Sequence, residues 1–145
     1  MQAFIENEAR SLIKNIYNES TLQCISTRNI TVPYPYPYGF IPRTLGEDGE
    51  SLDCFIVTSQ VLQTGKCFDV QLLGMLEHFE NGVEDHKVLL SLKNDDVLLT
   101  DSIKSQIVVF YEELSRIVQD RKIHLGKFLS QKETLEYIHY CSYAA

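Results

Sequence analysis

Between Glu47 and Asp53 the chain places four carboxylates, Glu47, Asp48, Glu50 and Asp53, within seven residues beside a Gly-rich turn. Like charges this close repel, so the stretch is either a solvated loop or a site whose charge a bound cation neutralises. Asp48 and Asp53 flank Gly49 and Glu50 where a turn enters the apolar run Leu52 to Val57, and a turn can point both carboxylates into one pocket. An EF-hand is excluded, because it needs acidic groups at alternate positions through a longer loop and a closing Glu. Taken alone, an Asp-Gly pair with acidic neighbours is also ordinary turn chemistry.

The elements that must hold this turn follow from periodicity. Leu52–Val57, Phe68–Leu76 and Lys87–Leu92 are short apolar runs bounded mostly by turn-forming residues, and they read as strands. Gln63 to Lys66 predicts a tight turn, and Glu80 to Asp85 predicts a hairpin loop on its Asn81-Gly82 pair. In Val32 to Tyr38 three prolines alternate with three tyrosines, which removes backbone donors and keeps this stretch extended and irregular instead of a central strand. Ile103, Ile107, Phe110, Leu114 and Ile117 then recur at spacings of three and four after an Asp101/Ser102 start signal, predicting an amphipathic helix. Ser130 and Glu133 match a capping box, so a second, shorter helix with Leu135 and Ile138 on one face ends the chain. Strands first and helices last predict one α+β domain over residues 1–145, a small closed or partly open barrel with helices packed on one side.

Composition narrows the function classes. The 145 residues are 44% apolar and 23% charged, ordinary values for a globular chain that buries its own core. Net charge is -7, and no basic run is longer than Arg121-Lys122, which argues against a nucleic-acid surface. Acidic residues in the first ten positions and the lack of a long apolar run argue against a secretion signal or a membrane span, so a cytoplasmic protein is expected. Cys24, Cys54, Cys67 and Cys141 form no C-x-x-C pair and read as buried free thiols. His78, His86, His124 and His139 show no ligand spacing and read as structural or surface residues.

Several blocks occur together: Tyr34-Pro-Tyr-Pro-Tyr38-Gly-Phe-Ile-Pro42, Thr44-Leu45, Asp48-Gly-Glu-Ser-Leu-Asp53, Gly74-Met-Leu76 and Glu84-Asp85-His-Lys87. This series resembles the soluble family I inorganic pyrophosphatases, whose pattern carries Y-P-x-N-Y-G-[FY]-I-P, D-G-D-P-x-D and a later G-x-L segment followed by D-x-x-x-x-D-x-K. Order and spacing fit without a gap from Tyr34 to Lys87. The likeness weakens toward the N-terminus, where Phe4-Ile-Glu6 matches a first strand with its acidic residue, and Lys14 and Arg28 keep the family's fourteen-residue interval. The resemblance implies an OB-like five-stranded barrel with two C-terminal helices, magnesium-dependent hydrolysis of inorganic pyrophosphate, and a homo-oligomer. It further implies that Asp48, Asp53 and Asp85 ligate the cation, with Glu80 at another ligand position, that Glu50 orients or deprotonates the water, and that Lys14, Arg28, Lys87 and Tyr38 hold phosphate oxygens.

The chain also departs from that pattern. Glu50 replaces an aspartate and Ser51 a proline, Glu80 replaces another aspartate, and a glutamate of the family falls at Ile16. The family's phosphate-binding Tyr-Lys pair on the long helix falls at Leu114-Ser115, with Arg116, Arg121 and Lys122 as nearby candidates to replace it. A longer Glu50 side chain displaces its carboxylate by about 1.5 Å, and such errors can cost on the order of 10²-fold in rate. Two alternatives therefore stand beside hydrolysis: a pyrophosphatase-like protein that binds metal or pyrophosphate without turnover, and a structural assembly subunit.

Overall fold

The computed structural model describes residues 1–143; Ala144 and Ala145, the end of the expected domain, lie outside the described residues. Nine strands and two helices run in the order β1 (Gln2–Asn7), β2 (Ile13–Tyr17), β3 (Cys24–Asn29), β4 (Tyr38–Ile41), β5 (Leu52–Ile56), β6 (Lys66–Glu80), β7 (Val83–Glu84), β8 (Lys87–Leu92), α1 (Asp101–Ile117), β9 (Ile123–Leu129) and α2 (Gln131–Cys141). The main sheet has the order β1-β4-β5-β8-β6-β7, and β1 also pairs with β6. Five strands, β1, β4, β5, β8 and β6, thus close into a ring, which removes the free edges an open sheet would expose. The pair β5–β8 is parallel, and the other pairs of the ring are antiparallel. Strands β2 and β3 form a separate hairpin.

Alternation along the strands sorts the side chains into two cores. Ala3, Ile5, Ile41, Cys54, Ile56, Val70, Met75, Val88 and Leu90 form one cluster, which Ile138 and Cys141 of α2 join. Tyr34, Tyr38, Phe55, Leu76 and Leu89 form the other, which Ile107, Phe110 and Tyr111 of α1 join. The two helices therefore serve different clusters and do not share the single side expected of them. Because both faces of the ring are covered, β4 and most of β8 are buried at successive positions instead of alternating.

Local signals explain most boundaries. Asn81 and Gly82 both have positive φ, 53° and 81°, the geometry of a two-residue hairpin between β6 and β7. Gly39 is required by close approach: a Cβ there would lie 1.8 Å from the Phe4 carbonyl oxygen across the β1–β4 pair. The second helix starts with the predicted capping box, in which Ser130 accepts from the Glu133 backbone and Glu133 from the Ser130 backbone. The first is capped by Thr100, whose hydroxyl accepts from the Ile103 N–H, one residue before the expected start.

Three further expectations are corrected. Leu135 is exposed and α2 buries Thr134, Ile138 and Cys141 instead, because its contact stripe is offset from the apolar pair read in the sequence. Cys24 and Cys67 are exposed, and only Cys54 and Cys141 are buried, since the first two sit on the outer hairpin and at the start of β6. Strand β9 lies where no strand was expected, pairing with the second half of β6.

Candidate functional site

The site is built on neighbouring ring strands. Asp53 on β5 and Lys87 on β8 are register partners in the parallel pair, so their side chains emerge together on one face. The Lys87 ammonium donates to Asp53 Oδ2 at 2.7 Å and to the Tyr38 hydroxyl at 3.2 Å, and lies 3.0 Å from Asp85 Oδ2. Asp85 sits just before β8, with its backbone N–H bonded to the His78 carbonyl at 2.8 Å. Lys87 is only 3% exposed, a depth at which an ammonium must be paired. Burial works against its charge, but Asp53, Tyr111 and Asp85 overcome it and hold its pKa well above the usual lysine value. Tyr38 is itself braced by Tyr34, their rings stacked 4.2 Å apart.

The acidic turn is closed beside this group. Gly46 donates to the Glu50 carbonyl at 2.8 Å, and buried Thr44 accepts from the Leu52 N–H at 2.9 Å while donating to the Ile41 carbonyl. Asp48 Oδ1 accepts from the Glu50 N–H at 3.0 Å, and Glu19 reaches from the β2–β3 turn to accept from the Ser51 N–H at 3.0 Å. Asp48 and Glu50 are exposed, whereas Asp53 and Asp85 are half-buried.

The hairpin β2–β3 supplies the opposite charge. Lys14 and Arg28, fourteen apart in sequence, are cross-strand partners. The hairpin is fixed to β1 by Asn7, whose side chain accepts from the Asn15 N–H at 2.6 Å, and by Asn15, whose amide donates to the Glu6 carbonyl at 2.9 Å.

All these groups line one pocket of about 1020 Å³: Lys14, Arg28, Tyr38, Asp48, Glu50, Asp53, Glu80, Asp85 and Lys87. Sequence reasoning had not assigned Glu19, His78 or Tyr111, which also line it. No local signal marks them, because each meets the site across a long interval of chain. His78 stands 3.8 Å from Asp85 and is kept neutral, its pKa pushed down to about 3 by burial and then by the Lys87 charge. Of the three basic candidates after α1, Arg121 lines this pocket, where its Nε donates to Glu80 Oε1 at 2.7 Å. Arg116 lines a separate groove between α1 and β9, and Lys122 is exposed. Leu114 and Ile16 line the pocket without charge.

The electrostatics are strained in both directions. Glu6 is pushed up to about 8 by burial and then by Asp53, Glu19 and Glu50. Asp85 is pushed up to about 8 by burial, with Asp53 adding and Lys87 opposing. Glu50 is raised by burial and by Asp48, Glu19 and Asp53. Asp53 alone goes down, because the Lys87 charge and hydrogen bond outweigh its burial. On the other wall Lys14 is lowered by burial, then by Arg28 and Arg121. Crowded carboxylates gain from a cation, and crowded cations gain from an anion.

Among the described residues no three His, Cys, Asp or Glu side chains are gathered closely enough to hold a metal as they stand. Asp48 is turned to its own loop, while Asp53 and Asp85 share Lys87. The donor chemistry nonetheless fits a hard divalent cation, since magnesium keeps several waters and needs only one or two protein carboxylates. Burial first, and neighbouring carboxylates second, push up the pKa values of Glu6, Glu50 and Asp85, and a bound cation would relieve the second of these causes.

A closed five-strand ring carrying a pocket lined by both carboxylates and cations defines an α+β protein with a charged cleft. The comparisons identify its family. A family model described as Inorganic pyrophosphatase matches residues 3–144, and the chain belongs to that family. It is similar to the inorganic pyrophosphatase of Nanoarchaeum equitans, at 30% identity over 90% of this chain and 88% of that protein. Another relative is the inorganic pyrophosphatase of Saccharolobus solfataricus, at 29% identity over 95% and 87%. Among solved structures, the inorganic pyrophosphatase from Thermus thermophilus superposes with a TM-score of 0.82 at 25% identity, covering 97% of this chain and 88% of that one. The Helicobacter pylori inorganic pyrophosphatase superposes at 0.85 with 20% identity, covering 97% and 90%, a likeness of fold. Family membership carries a divalent metal cofactor with it, and no helix of the described residues is long and apolar enough to cross a membrane.

Proposed function

We propose that this chain hydrolyses inorganic pyrophosphate to two phosphates, with magnesium as its divalent cation held by Asp48, Asp53 and Asp85. The observation that carries the reading is a single pocket lined by every residue assigned a catalytic or binding role from the sequence, with a buried ammonium at its base. When bound, divalent cations lower the pKa of water and neutralise charge on the leaving phosphate.

The chain's own residues supply the rest. Glu50, a stronger base than a solvated carboxylate, takes the proton of the water that attacks phosphorus as the bridging P–O bond breaks. Lys87 keeps its proton throughout, because its neighbours hold its pKa high, and it serves as a fixed positive charge for phosphate oxygens. Tyr38 accepts from Lys87 and its hydroxyl also helps stabilise the Asp53 carboxylate, so it can donate to a phosphate oxygen in place of Asp53. Lys14 and Arg28 bind the anion from the hairpin side, and the ligand relieves the repulsion between them. A homo-oligomer in the cytoplasm belongs to the same reading through the family.

Phosphate release from pyrophosphate with added magnesium tests the proposal. Wild-type protein should release phosphate, and Asp53→Asn should lower kcat by at least about 10²-fold; equal release by the two would overturn it. The non-hydrolysing alternative draws on Ile16 and Leu114, which line the pocket where charge was expected. Calorimetry separates it, because that protein would bind pyrophosphate with magnesium and release nothing.

A further inference from the structure

The pocket's cations are unevenly committed. Lys87 is saturated by Asp53, Asp85 and Tyr38, and Lys14 and Arg28 both come from the β2–β3 hairpin. Where α1 ends, the pocket is lined by Leu114, Ile117 and Val118, whose apolar side chains offer a phosphate nothing. Arg121 is the basic residue that this part of the chain brings into the pocket.

Its side chain is held by Glu80. The guanidinium gives Nε–H to Glu80 Oε1 at 2.7 Å and one terminal amine to the same oxygen at 2.5 Å. A guanidinium has five N–H donors, so the remaining ones are unspent. The loop itself is fastened by other bonds: Asn81 donates to the Lys122 carbonyl at 2.9 Å, and Lys122 N–H donates to Asn81 Oδ1 at 3.0 Å. A half-exposed ion pair, 34% and 29% exposed here, adds little to stability. What the pair does achieve is to fix a planar, bidentate-capable cation in the pocket before any ligand arrives.

We propose that Arg121 is a substrate-binding residue that holds the phosphate group at the α1 end of the pocket, and that Glu80 is its positioning residue, not a metal ligand. The inference rests on the pyrophosphate reading. It accounts for how the chain binds a diphosphate with Leu114 and Ser115 on its long helix: the cation comes from the loop after that helix. Arg121 also contributes, after burial and Arg28, to the lowered pKa of Lys14, as expected of charges facing the same space.

The test uses the full chain and its Arg121→Gln, Arg121→Lys and Glu80→Gln variants. Three quantities are measured: KM and kcat for pyrophosphate, the Ki of methylenediphosphonate, which cannot be hydrolysed, and the thermal midpoint. Arg121→Gln should raise KM and Ki together by about 10- to 100-fold, the value of a charge-assisted hydrogen bond, with the thermal midpoint nearly unchanged. Arg121→Lys should recover part of the loss, and Glu80→Gln should weaken both constants by a smaller factor. KM and Ki within twofold of wild type in Arg121→Gln would overturn the proposal. So would a Glu80→Gln defect as large as that of Arg121→Gln, which would point to Glu80 as the functional group. Should wild-type protein release no phosphate, the hydrolysis reading fails alone, because calorimetric binding of methylenediphosphonate still reports on Arg121. A wild type that binds no diphosphonate removes both.

Discussion

The pocket has two walls made in different ways. The ring wall, from β4, β5 and β8, is nearly all buried, and its charged groups are fixed by strand register: Asp53 opposite Lys87, Phe40 opposite Asp53. The hairpin wall is loose by comparison. Every residue of β3 is exposed, β2 is at best half-buried, and the hairpin is anchored through Asn7 and Asn15. The difference teaches that the two kinds of charge have different structural cost. Carboxylates crowded around a buried ammonium need a rigid frame, because a shift that unpairs one leaves a desolvated charge. Cations that meet a mobile anion need only to be near it, and an exposed hairpin serves.

The comparison breaks most sharply at Lys87. Lys87→Met leaves Asp53 and Asp85 facing each other, so it should destabilise the fold by roughly 3–5 kcal/mol and lower kcat by on the order of 10²–10³-fold, read by denaturant unfolding and phosphate release. On the hairpin wall, Arg28→Gln should separate function from stability. KM should rise by about tenfold with kcat held, as uniform binding is lost, while unfolding free energy stays within about 0.5 kcal/mol. A large stability loss in Arg28→Gln would show that the walls are not so different.

The smallest effect is a pH dependence that comes from the buried carboxylates Glu6 and Asp85. Glu6 and Asp85 have folded pKa values raised to about 8, so the folded state holds more protons than the unfolded one above the ordinary carboxylate range. Stability from these groups is present at low pH and lost as pH rises through 8. His78, pushed down to about 3, acts in the opposite sense but only below the unfolded histidine value of about 6.5. Asp53 and Lys87, whose shifts stabilise the charged pair, contribute steadily in that window. In the absence of divalent cations the thermal midpoint should therefore fall by a few degrees between pH 6.5 and 8, and added magnesium should reverse the fall. A midpoint flat in pH, with or without the cation, would contradict the crowding of the carboxylates.

How far the sequence carries depends on the range of the interaction. The N-terminal capping box of α2, the Asn81-Gly82 hairpin and strands β5 and β8 were legible because their causes lie within a few residues. The hairpin β2–β3 was not, since its exposed side chains give no apolar alternation, and β9 was hidden by Gly126 and by facing one half of a long strand. Residues carrying the family pattern, Tyr38, Asp53, Asp85 and Lys87, could be picked by type and spacing. Glu19 and Tyr111 could not, because the bonds and packing that bring them to the pocket close over long intervals of chain.

By itself, the sequence determined which chemical groups were present and the local turns and helix ends that hold them, because those rest on contacts between near neighbours. Tertiary structure alone decided that β5 and β8 run parallel with Asp53 beside Lys87, that Asp48 turns to its own loop, that Glu80 meets Arg121, and which carboxylates hold protons. The physical reason is that pairing, burial and through-space charge depend on which distant segments meet, and none of these is written in the spacing of neighbouring residues.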